Sequence, residues 1–402
     1  MMSTPQWTRV EGMIIGHRLD PAEVAQELAG RNVLAQLEWF TSSPHLIGVS
    51  VAVSEGTVAL LPQGATTPTA GPTLSDLAEE LAVLFEAEVR LGSAVSDYLT
   101  QDDASALATD DDDAMTGTSR VVEIGRTPAS SVPLLAAMEG VDLADREMPE
   151  GRRALLAELP PTKVGWNFGE LPLVTLSMTD GDFQAFLVQD DHIENVLTHN
   201  WGMETLLVPG GVDSADALPV DVSDLVGNRP DLAAIAGAVP GADVEAFLAA
   251  GYASGDNAVH AAVAALGLPD DVAAFLLGRI EIDEAEGFNT HLARGISTAI
   301  GRSVDIMLTD SDTAVHPVFD AYQALSIDRP WIVRSAAAVE AAVGAGLMVL
   351  ALRSRKPSPW WVKAGGVLGG LMVVDSVAEV VLAKYVSSRR ERREFLEGNG
   401  TL

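Results

Sequence analysis

The chain has no cysteine among its 402 residues. This excludes a disulfide framework, a thiolate metal centre and a cysteine nucleophile. Lysine is nearly as scarce, at four of the 25 basic residues. The familiar catalytic signatures are missing too. There is no Gly-rich phosphate loop ending in Lys-Ser/Thr, no GxGxxG, no HExxH and no GxSxG. The segment Gly251–Asn257 approaches the last of these, but its Ser254 is placed to cap the following helix. The N-terminal stretch lacks a basic region followed by an apolar core, so a secretory leader is not expected and the head is expected in the cytoplasm.

Positive charge is missing from most of the chain. Residues 1–328 carry 51 Asp/Glu against 14 Lys/Arg, a net of −37, whereas the remainder carries a net of +5. So acidic a head repels nucleic acid and anionic lipid, and suits a basic protein partner.

Two long apolar runs close the chain. Residues 335–352, between Arg334 and Arg353, hold one charge, Glu340. Residues 364–383, between Lys363 and Lys384, hold two, Asp375 and Glu379. A bilayer core needs about 20 predominantly apolar residues, and both runs suit. Trp331, Trp360 and Trp361 stand at their ends, where amphipathic rings favour the headgroup level. Gly365, Gly366, Gly369 and Gly370 form two overlapping GxxxG spacings, which let helix backbones approach closely in lipid. The expectation is a multi-pass plasma-membrane protein, with a transmembrane hairpin over 331–388 and both head and basic tail (389–402) cytoplasmic. Glu340, Asp375 and Glu379 fall at similar depth in such a hairpin, as an acid cluster near the end carrying Arg334 and Lys384. An apolar hairpin inside a water-soluble core is the alternative.

The head divides by pattern into an α/β unit over 1–100, an acidic linker over 101–118, a second α/β unit over 119–215 and a helix-rich unit over 216–330. In the first, strands are expected at Met13–Gly16, Leu46–Val53, Thr57–Leu61 and Val89–Leu91. Helices are expected from Asp20-Pro21 and over Thr73–Glu86, the latter burying Leu74, Leu77, Leu81 and Leu84. That β-α-β-β-α-β order is the split βαβ, or ferredoxin-like, arrangement. The second unit repeats part of it. Ile124–Gly140 matches Ile15–Gly30 in strand end, Pro-initiated helix and closing Gly. Asp180-Gly181 marks a tight hairpin, a helix is expected over His192–His199, and Glu204–Val208 would close the unit. In the helix-rich unit four short helices follow one another from Asp231 to Leu277, then a strand at Arg279–Asp283 and a helix at Thr290–Ile300.

The best polar cluster is Asp190, His192 and His199. On one helix the two histidines would share a face and, with the acid, form a metal site. No cofactor is implied. The leading expectation is therefore a membrane-anchored binding, regulatory or scaffold module. The alternatives are a metal-dependent enzyme built on those three residues, and a toxin whose hairpin inserts conditionally.

Overall fold

A computed structural model describes residues 6–17, 19–43, 45–99, 117–160, 170–190, 196–212, 214–215 and 218–293, with isolated positions 299, 302, 303 and 306 beyond. The hairpin, its acid cluster, its glycines and the basic tail lie outside these residues. Among the described residues no helix is long and apolar enough to cross a membrane.

The head is an α/β structure with two antiparallel sheets and several helices. It separates into two compact units: residues up to 125 with 148–154 and 158–286, and a smaller one from 126–147, 155–157 and 287 onward.

The first sheet opens with β1 (Thr8–Ile15), and Asp20 then starts α1 (Pro21–Gly30) by accepting from the Ala22 amide at 2.9 Å. The chain returns through β2 (Leu34–Trp39) and β3 (Leu46–Ser54). A two-residue turn at Glu55-Gly56, both with positive φ, leads into β4 (Thr57–Leu60) and then β5 (Thr69–Thr73). Thr73 caps α2 (Leu74–Phe85) through the Asp76 amide at 3.2 Å, and β6 (Glu88–Leu91) and β7 (Ala94–Asp97) follow as a hairpin.

These strands lie in the order β2-β3-β1-β6-β7, every neighbour antiparallel, and β4 and β5 extend from β3. Side chains alternate across the sheet, so Ile14, Val49, Val51, Leu37, Val89 and Leu91 face one way. They form one buried cluster with Val24 and Leu28 of α1 and Leu77 and Leu81 of α2. Each such side chain contributes about 1.5–3 kcal/mol by burial. A smaller cluster, Leu34, Ala52, Ala59, Leu61, Val222 and Val226, packs behind the sheet.

Several expectations need correction here. The strand β2 was not expected, and the Thr/Pro/Gly loop after Leu61 contains β5. Leu84 is exposed, because the buried face of α2 runs through Leu77, Ala78, Leu81 and Ala82 and continues to the half-buried Phe85 rather than to Leu84.

The second sheet contains β8 (Ser119–Arg126), β10 (Arg152–Leu159), β11 (Glu170–Thr179), β12 (Asp182–Val188) and β13 (Leu197–Asn200), in the order β13-β12-β11-β8-β10. Asp180 and Gly181, both at positive φ, make the tight β11–β12 turn. Leu197–Asn200 is a strand, not the end of a helix. The strand β14 (Glu204–Pro209) pairs with β2 in the first sheet rather than closing the second.

After a single helical turn at Val220–Ser223 come four longer helices in the larger unit: α4 (Arg229–Gly237), α5 (Val244–Ala250), α6 (Asp256–Ala265) and α7 (Asp270–Leu276). Gly255 rather than Ser254 stands at the N-cap of α6, and it makes no side-chain cap bond. Ile282–Glu284 is a single 3₁₀ turn where a strand was expected. In the smaller unit lie α3 (Val132–Glu139), β9 (Leu143–Met148) and β15 (Asn289–His291). β15 pairs antiparallel with β9, so residues 289–291 do not begin a helix.

Candidate functional site

His199 is the sequence candidate that the structure places most fully. It lies on β13 opposite Ala185 of β12 and is 7% exposed. Its ring meets Trp201 edge-on at 4.5 Å, and Trp201 stacks on Phe183 at 4.4 Å and packs against Phe247 of α5. Trp201 also donates from Nε1 to the Ala250 carbonyl at 2.8 Å, which ties the end of α5 to the sheet.

Asn228 stands 3.3 Å from His199 Nδ1. With the Asn228 amide donating, Nδ1 is the acceptor and the ring proton sits on Nε2. Nε2 is buried and has no partner in hydrogen-bond geometry among the described residues. Burial pushes the His199 pKa down to about 4, and the nearby Gly251 backbone opposes only part of that shift. At neutral pH this is an uncharged ring in an aromatic core.

Of the other two candidates only Asp190 is among the described residues. Asp190 stands in the bend after β12, beyond Val188, while His199 pairs three residues back from Val188. That is roughly 10 Å of strand before the bend begins. His192 lies outside the described residues. Among the described residues no group of three or more His, Asp or Glu is arranged to hold a metal ion.

Three polar clusters form that the sequence did not announce. Arg9 on β1 donates to the Gly227 carbonyl at 2.8 Å and pairs with Glu11 and with the buried Asp231 of α4. Burial raises the Asp231 pKa despite the attraction of Arg9. For Arg9 burial works downward, and Asp231 and Glu11 outweigh it, so its pKa is raised. Glu38, raised chiefly by burial, accepts from Gln36 at 2.7 Å beside this group.

Arg120 on β8 donates to the carbonyls of Phe275 (2.9 Å) and Ile280 (2.8 Å) and lies over the Phe275 ring at 5.3 Å. It so satisfies the C-terminal end of α7, where a cation also complements the helix dipole. In the smaller unit, His291 Nε2 and Asp145 Oδ1 are 2.6 Å apart and both residues are buried. His291 Nδ1 has no partner among the described residues.

The partners that join these clusters are 146 to 222 residues apart, so no local spacing could have announced them. In each, the charged group holds two elements together. Comparison with known proteins adds nothing to this geometry: no family model, no curated protein and no solved structure matches the chain.

Proposed function

We propose that this chain is a membrane-anchored binding or regulatory protein, with a head built from two related split-βαβ (ferredoxin-like) arrangements. The observation that carries the reading is the pair of apolar runs, 335–352 and 364–383, behind a head of opposite charge. Their length, tryptophan ends, basic flanks and GxxxG spacing suit a helical hairpin in lipid. The even number of spans would put head and tail on the same side of the membrane, and we take that side to be the cytoplasm.

The head supports the binding half of the reading. Its buried and half-buried ionisable groups at Arg9–Asp231, Arg120 and His291–Asp145 are spent on bonds between elements. In the first sheet the order β6-β1-β3-β2, with α1 after β1 and α2 before β6, is the split-βαβ order. The second repeats its neighbours, since β10-β8-β11-β12 corresponds to β3-β1-β6-β7. The chain order β8-α3-β9-β10 likewise corresponds to β1-α1-β2-β3. The elements β4, β5 and α2 have no counterpart among the described residues.

Cell fractionation tests the anchor. The full chain should pellet with membranes and resist a high-salt wash, and a chain ending at Asp328 should remain in the supernatant. A full chain in the supernatant, or a truncated one that still pellets, would refute the reading.

A further inference from the structure

The first sheet ends at β7, whose outer side has no neighbouring strand among the described residues. Its backbone geometry follows from the hairpin register, Arg90 opposite Val95 and Glu88 opposite Asp97. One step further, the Tyr98 amide donates to the Ala87 carbonyl at 3.2 Å. Antiparallel pairs alternate between those that exchange hydrogen bonds and those that do not. Tyr98 bonds inward, so Ser96 and Ala94 do the same, and Val95 and Asp97 turn their N–H and C=O groups to the open side. The Val95 side chain is 61% exposed. Proline, lysine and bulges, which block many such edges, are absent from β7; its protection is limited to its four-residue length and the single charge of Asp97 at its end.

The second sheet fills the corresponding place. There β13 pairs along the outer edge of β12, from Gln184–Asn200 to Leu187–Leu197. β13 has four residues, as has β7, so a strand of that length suffices for the pairing. The filling strand is the next stretch of chain after β12. After β7 the sequence instead runs into residues 101–118, rich in aspartate and without apolar alternation. The chain supplies no strand-forming sequence at the corresponding point.

We propose that the outer edge of β7 is a strand-addition site for an extended, cationic segment of a partner protein. This rests on the binding-module reading above and names its partner class. The outward backbone groups of Val95 and Asp97 would supply the ladder, and Val95 an apolar contact. Charge selects the occupant. Asp97 closes the strand, Arg90 opposite Val95 is already paired with Glu88, and residues 1–328 as a whole carry 51 acids against 14 bases. A second copy of the chain would bring the same charge to the edge, whereas alternating Lys or Arg complements it.

Fluorescence anisotropy on the full chain in mild detergent tests this, with labelled peptides of alternating Lys-Val and alternating Glu-Val, eight residues each. Val95→Pro removes an outward N–H and no bond to β6, and Val95→Thr keeps it. The Lys-Val peptide should bind wild type and Val95→Thr alike and Val95→Pro roughly tenfold more weakly, and the Glu-Val peptide should not bind. The Lys-Val peptide should also slow hydrogen exchange at the Val95 and Asp97 amides. Undiminished binding to Val95→Pro, equal binding of both peptides, or no binding to wild type would each overturn the proposal. Should Val95→Pro fail to fold, the wild-type exchange decides: protection at Val95 and Asp97 supports the site, and none removes it. A chain that pellets with membranes yet takes no peptide would remove this site alone and leave the anchored-module reading intact.

Discussion

At the scale of single residues, His199 and Gly210 make the sharpest demands. The His199 pKa is depressed from 6.5 to about 4 by burial, so the folded head prefers the neutral ring. That preference is fully present above pH 6.5, where the ring is neutral in both states. It is lost as pH falls from 6.5 towards 4, because the unfolded chain takes up a proton that the folded one refuses. The loss is on the order of 3 kcal/mol. Urea unfolding at pH 7 and pH 4.5 should show it, and a His199→Phe chain, which keeps a ring beside Trp201, should lack this component. Gly210 follows β14 at φ +64, and a Cβ there would lie 2.8 Å from the carbonyl oxygens of both Asn32 and Leu61. Neither backbone oxygen can yield easily, since Asn32 O accepts from the Leu61 amide and Leu61 O from the Gly211 amide. Gly210→Ala should therefore cost about 3 kcal/mol in chemical denaturation, from the left-handed conformation and the clash together.

At the scale of elements, what could be read locally and what could not separate by cause. The start of α1, the cap of α2 and the Asp180-Gly181 hairpin come from residues that act on their own neighbours. Asp20 and Thr73 accept amides two and three residues on, and Asp180 and Gly181 take the positive φ that the turn needs. The strand β2 was missed because Leu34, Ala35, Gln36 and Leu37 are all buried, with Leu34 on one side of the sheet and Ala35 and Leu37 on the other. A strand covered on both faces loses the period of two that would reveal it. The strand β13 was missed for the opposite reason. Its Thr, His and Asn look polar, and His199 is buried by tertiary neighbours, Trp201 and Asn228 among them. Arg120 gives an element-scale test. It serves two carbonyls at the end of α7 and a ring beneath them, so Arg120→Ala should destabilise by roughly 2 kcal/mol. Arg120→Lys should recover only part of this, because one ammonium cannot reproduce the planar fork. Thermal melts of the two variants would measure the difference.

For the whole molecule, the decisive contrast is between an acidic head and a basic, apolar end. If the acids Glu340, Asp375 and Glu379 sit at the inner interface near Arg334 and Lys384, replacing all three by Gln or Asn should leave membrane-bound abundance nearly unchanged. A charge at the centre of a span costs about 2.5–3.5 kcal/mol on insertion, so acids held there would instead make the variant clearly more abundant. Quantitative blotting of the membrane fraction separates the two. The sequence by itself determined the properties that depend on composition or on near neighbours: the sign of each region's charge, the absence of thiol chemistry, the apolar runs, the capped helices and the tight turns. Only the tertiary structure decided which strands lie together, that β14 joins the first sheet, that His199 is an uncharged core residue, and that Arg9 meets Asp231. The physical reason is range. Charge, caps and turns act over a few residues and leave a pattern in the sequence. Strand neighbours and buried ion pairs form between residues far apart along the chain, and their energy depends on what else is packed around them.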